Sequence, residues 1–326
     1  MQRKQLTVYR SLCNDDTCYD FIDNLRDTYD PLIRHILEKV NHDLLDLNNI
    51  FVLACRIGCL KVVAYLLENI NHDQLDAKKA VNDLYRSVCD DDDYYKFIDN
   101  LRDTYDPLIR HILEKVNHDL LDLKTIFVLA CSIGCLTVVA YLLENINHDQ
   151  LDVKEAVNYV CHSVYIDDDD NVVINKVRET YDPLIRHILE KVNHDLLDLK
   201  TIFVLACRIG CLKVVAYLLE NINYDQLDAM KAVNDLYHSV CDVRYYNHVM
   251  NNLRDTYDPL IRHILEKVNH DLLDLKTIFH LACRIGSLKV VAYLLENINH
   301  GQLDAMKAVN DLYRSVCDDD DYYKFY

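Results

Sequence analysis

Three cysteine pairs, Cys55/Cys59, Cys131/Cys135 and Cys207/Cys211, share a C-x3-C spacing. Two thiolates so placed could supply half of a tetrahedral zinc site. The other half is missing: no Cys or His pair follows at zinc-site spacing, and the fourth copy keeps Cys283 but has Ser287 at the second position. The pairs are therefore expected to pack as small hydrophobes. Histidines recur as His35/His42, His111/His118, His187/His194 and His263/His270. A gap of seven is about two helical turns, too far for one shared ion. His42-Asp43 follows a helix end, where it is expected to bond the last carbonyls or the neighbouring loop. The acidic runs Asp90–Asp93, Asp167–Asp170 and Asp318–Asp321 have neither the spaced ligands nor the Gly turn of a calcium loop. Their expected role is a solvated loop or a docking surface for a basic partner, with Tyr94 and Tyr95 as aromatic anchors. No phosphate-binding, zinc-protease or nucleophile-elbow motif occurs. No catalytic residue, metal site or cofactor is expected, and so no enzyme.

The elements that carry these residues are repeats. TYDPLIRHILEKVNHDLLDL occurs unchanged from Thr28, Thr104, Thr180 and Thr256, a period of 76. Pro31, Pro107, Pro183 and Pro259 fall on that period, as do Gly58, Gly134, Gly210 and Gly286. A weaker period lies inside it, since ILEKVNHDLLDL (Ile36 to Leu47) resembles LLENINHDQLDA (Leu66 to Ala77). Each block is then a long unit and a short one. The long units are 1–47, 78–123, 154–199 and 230–275; the short units are 48–77, 124–153, 200–229 and 276–305; a partial unit, 306–326, closes a single array over 1–326.

Apolar residues at helical spacing, such as Leu60, Val62, Val63, Leu66, Leu67 and Ile70, predict helices throughout, with Gly58 turning one into the next. Asp30-Pro31 reads as the start of the long unit's second helix. The acidic insert runs from Asp90 to Thr104. Ile126 to Leu143 is 18 residues without a charge, which is membrane-span length. Gly134 sits where a helix pair should turn, so a buried pair is expected and no membrane.

TIFVLACRIGCLKVVAYLLEN (Thr201 to Asn221) resembles the ankyrin repeat. Thr201, Leu205, Ala206, Gly210, Val214, Val215, Leu218, Leu219 and Glu220 fit the family pattern, and His280 occupies the family's His position, where the other copies have Val52, Val128 and Val204. Ile replaces the family's Pro, and NINHD or VNHD replaces Gly-Ala-Asp, which leaves the β-hairpin fingers open. The resemblance implies an all-α solenoid of stacked helix pairs that binds other proteins. It places partner contacts just before the turn glycine, at Arg56-Ile57, Ser132-Ile133, Arg208-Ile209 and Arg284-Ile285, and in the loops before the short units, at Lys124, Lys200 and Lys276. The alternative for each Ile is packing between repeats.

With 51% hydrophobic residues the chain forms a core, and a net charge of −18 disfavours nucleic acid. Thirteen cysteines without disulfide-module spacing, and no apolar leader after Met1, point to a reducing cytoplasmic setting. Scarce Gly and Pro with 23 Tyr, in near-identical tandem blocks, resemble the expanded ankyrin families of large DNA viruses or intracellular bacteria. The expected function is a protein-binding scaffold that engages host proteins. The alternatives are an adaptor to ubiquitin machinery and a self-associating array. Few residues precede the first repeat, so no separate catalytic domain is expected.

Overall fold

A computed structural model of the chain describes residues 18–89, 98–163, 171–241 and 247–310. The chain divides into two compact units, residues 1–163 and 164–326. The first holds α1 (Cys18–Lys39), α2 (Leu47–Arg56), α3 (Leu60–Asn69), α4 (Ala77–Cys89), α5 (Ile98–Lys115), α6 (Leu123–Ser132), α7 (Leu136–Asn145) and α8 (Val153–Ser163). The second holds α9 (Asn171–Lys191), α10 (Leu199–Ile209), α11 (Leu212–Asn221), α12 (Ala229–Cys241), α13 (Asn247–Lys267), α14 (Leu275–Arg284) and α15 (Leu288–Asn297). Among the described residues there is no strand.

Each unit is two rows of helices. In the first, α2, α4, α6 and α8 pack side by side, and α1, α3, α5 and α7 form the row behind. In the second, α10, α12 and α14 make one row and α9, α11, α13 and α15 the other. The core lies between the rows, anchored by Phe51, Phe127 and Phe203, each fully buried. Burying one such ring contributes about 1.5–3 kcal/mol. This is the all-α stack of ankyrin-like helix pairs implied by the resemblance.

Local chemistry sets the helix boundaries. Asp46, Asp122, Asp198 and Asp274 each cap the first helix of a short unit, their carboxylates accepting from the amides of Asn49, Thr125, Thr201 and Thr277. That helix stops at Gly58, Gly134, Gly210 or Gly286, whose φ lies between 68 and 77°, a left-handed conformation that suits glycine. Between units the chain makes a 3-10 turn in place of a β-finger. In it Asn41 accepts from the Asp43 amide, and His42 Nε2 lies 2.8 Å from Leu37 O. A carbonyl only accepts, so Nε2 carries the proton. The same bond recurs at His72, His118, His148, His194, His270 and His300. The helix-end role expected of His42 is thus what its geometry shows.

Two expectations change. The long unit's second helix does not begin at Asp30-Pro31. It begins several turns earlier, so Pro31, Pro107, Pro183 and Pro259 lie inside α1, α5, α9 and α13. A proline there removes one backbone donor, normally at a cost of about 3 kcal/mol. All four rings are on exposed faces, where water can satisfy the freed carbonyls. Accordingly, the second half of the expected insert, Ile98 to Thr104, is helix. The uncharged run Ile126 to Leu143 is split between α6 and α7 by the Gly134 turn. Among the described residues no helix is long and apolar enough to cross a membrane.

Candidate protein-binding surface

The Gly turn is the most built-up corner of the molecule. In the first unit the chain turns at Gly58, and α5 lies over the turn. A Cβ at Gly58 would collide with Thr104 Cγ2. Thr104 Oγ1 accepts from Arg26 Nη1 at 3.0 Å, and the buried Tyr105 hydroxyl donates to Arg56 O at 2.8 Å. The second unit repeats this: a Cβ at Gly210 would collide with Thr256, which accepts from Arg178 at 2.8 Å, and Tyr257 donates to Arg208 O at 2.7 Å. The Thr-Tyr pair of the long unit therefore clamps the turn of the preceding short unit.

The second helix of each short unit starts beside a carboxylate. Cys59, Cys135 and Cys211 occupy its N-cap and make no side-chain cap bond. Burial, with Asp30 as the next cause, pushes the Cys59 thiol up to about 12. Burial followed by Asp106 raises Cys135, and burial followed by Asp182 raises Cys211. Burial also raises Cys55, Cys131 and Cys207. Thiols held protonated in this way are poor nucleophiles and poor metal ligands. Among the described residues no group of three or more His, Cys, Asp and Glu is gathered as a metal site. In the fourth copy Ser287 replaces the cysteine. Its hydroxyl donates to Asp258 and accepts from the Val290 amide at 3.2 Å, so this helix is capped.

The residues expected to meet a partner separate into three groups. Ile57, Ile133, Ile209 and Ile285 are buried, which is the packing alternative. An apolar side chain at the end of a short-unit helix is drawn into the core, so it is not presented to a partner. Ser132 is buried too, its hydroxyl donating to Val128 O at 2.8 Å. Arg56, Arg208 and Arg284 are half-buried, and Lys124, Lys200 and Lys276 are exposed. These lysines sit in the first turns of α6, α10 and α14, not in loops. Tyr94, Tyr95 and the three acidic runs lie outside the described residues. The surface that remains is one Lys and one Arg at the two ends of α10 and of α14, with Lys124 on α6 and Arg56 on α2.

Sequence reasoning missed the clamp. Its signal was present, because a Thr-Tyr pair follows Gly58 and Gly210 at the same interval. Residues 274–302 match the ankyrin repeat. That window covers α14, its turn, α15 and the following 3-10 turn, and it is the copy that carries His280. No curated protein and no solved structure matches the chain. One matched repeat within an all-helical array of equivalent pairs supports an ankyrin-repeat protein.

Proposed function

We propose that the chain is a non-enzymatic protein-interaction scaffold. The observation that carries this reading is the ankyrin repeat at 274–302, set among structurally equivalent helix pairs. Ankyrin repeats are a general protein-recognition module, and a stack of them offers long exposed faces. Lys124, Lys200 and Lys276, with Arg208 and Arg284 at the far ends of α10 and α14, give three of the four short units a basic contact on an otherwise acidic chain. Within the second compact unit, Lys200 and Lys276 with these arginines suit an acidic stretch of a partner protein. Tyr94 and Tyr95 in the acidic insert add an aromatic contact.

Affinity purification of the full chain followed by mass spectrometry tests the reading. A specific protein should be captured, and the combined variant Lys124→Glu, Lys200→Glu, Lys276→Glu should lose it by about tenfold or more while keeping its helicity. Equal capture by this variant would overturn the proposed surface. Capture of nothing above a control would overturn the scaffold reading. Ubiquitin-ligase subunits among the captured proteins would favour the adaptor alternative, and proteins of a host cell would favour the host-directed one.

A further inference from the structure

The two ends of the described chain expose apolar faces whose copies are buried elsewhere. On α1, Tyr29, Leu32, Ile36 and Val40 are exposed, Leu32 by 50%. Their copies on α5 (Tyr105, Leu108, Ile112, Val116) are buried, as are those on α13 (Tyr257, Leu260, Ile264, Val268). α3 packs on α5 and α11 packs on α13, each the second helix of the preceding short unit, while α7 and α15 pack on them from the following one. At the other end, α15 is a third copy of that covering helix, with the identical sequence LKVVAYLLEN. Its Leu295 is 41% exposed, although Leu67 and Leu219 at the same position are buried.

The other row of helices shows the same complementarity. Leu53 on α2 is 47% exposed, but its copies Leu129 on α6 and Leu281 on α14 are buried. The rows place α4 against α6 and α12 against α14. Val309, 61% exposed, is the copy of Val81 on α4 and Val233 on α12, both buried. Each end thus carries one half of a contact that the chain already makes inside each unit, built from the same residues.

We infer that a second copy of this chain covers the α1 face with its α15 face, head to tail. The polar part of the contact is specified too. Tyr29 takes the place of Tyr105 and donates to Arg284 O of the other copy, as Tyr105 does to Arg56 O. Thr28 takes the place of Thr104 and enters the space at Gly286, where a Cβ would meet nothing within 4 Å. Each added copy leaves one face of each kind uncovered, so growth is open-ended unless a ring closes. The net charge of −18 opposes association, so added salt strengthens it.

Sedimentation velocity on the full chain, from about 1 to about 100 µM, reads the expected affinity range of such contacts. The mean mass should rise with concentration. Leu32→Glu/Ile36→Glu and, separately, Leu295→Glu should each weaken association by about tenfold or more, because each buries a charge in the contact. These sites are exposed in the single chain, so circular dichroism should be unchanged. The deciding arm mixes the two variants. One keeps a good α15 face and the other a good α1 face, so together they should form a 1:1 dimer and nothing larger. A wild-type chain that stays monomeric across the range overturns the inference. So does a mixture that forms no dimer, or a Leu295→Glu variant that associates like the wild type.

Discussion

Gly58 and Gly286 hold the same place in two short units and have nearly the same backbone, with φ of 72 and 68°. Their surroundings differ. Gly58 is pressed by Thr104 from the next long unit, whereas the Cβ direction of Gly286 is open. The first glycine is needed twice, for its left-handed φ and for the space it leaves to the clamp. The second is needed once. Identical sequence therefore does not mean identical constraint. In a repeat stack part of each residue's role is supplied by the neighbouring unit, and among the described residues Gly286 has no such neighbour.

The largest expected effect tests that contrast. Gly58→Ala or Gly210→Ala should destabilise its own unit by about 2–4 kcal/mol, combining the left-handed strain with displacement of Thr104 or Thr256. Gly286→Ala should cost only about 1 kcal/mol, the strain alone. Hydrogen exchange followed unit by unit is the suitable measurement, because repeat arrays need not unfold in two states. Equal costs at the three positions would break the comparison.

A smaller effect is expected at the clamp's hydroxyl. Tyr105→Phe and Tyr257→Phe leave the Arg56 and Arg208 carbonyls without that donor and should each cost about 1–2 kcal/mol. Tyr29→Phe, on the exposed end, should change the stability of the isolated chain by less than about 0.5 kcal/mol. Chemical denaturation of the three variants under identical conditions makes the check.

Much of this was readable from the residues, and what was not has a physical reason. The period, the Gly turn and the apolar helix faces depend on near neighbours in sequence, so spacing alone reveals them. Pro31 misled because proline favours a helix start in general. Its tolerance in mid-helix depends on facing solvent, which only the packed structure shows. The isoleucines before each turn glycine and Ser132 looked like partner contacts by analogy, yet their burial is decided by neighbouring helices. The clamp joins residues 46 to 49 apart across a turn, and a two-residue Thr-Tyr signal carries no sign of its target.

The 3-10 turns offer a subtler contrast. Seven of the eight described have His bonding a helix-end carbonyl, and the eighth has Tyr224. Tyr224→His should restore the bond to Leu219 O and add about 0.5–1 kcal/mol, while His118→Ala should remove a similar amount. A thermal melt of each variant reads both signs. If Tyr224→His gives no gain, the tyrosine already satisfies that helix end in another way.

The smallest expected effect concerns the cysteine caps. Cys211→Ser copies what Ser287 does in the fourth unit, where the hydroxyl serves both Asp258 and the Val290 amide. It should be neutral or stabilising by up to about 1 kcal/mol. A loss of more than about 1 kcal/mol would show that the thiol's packing outweighs the missing cap.

The clamp also limits how such a chain can change in length. Gly58 and Gly210 are each matched to the Thr-Tyr pair of the following long unit, so removing one short or long unit alone would set unlike partners against each other. Removing or adding 76 residues sets such a Gly turn against an identical Thr-Tyr pair and keeps that corner filled. A whole block is thus the smallest step by which recombination between the tandem copies can lengthen or shorten the protein without creating a new mismatch.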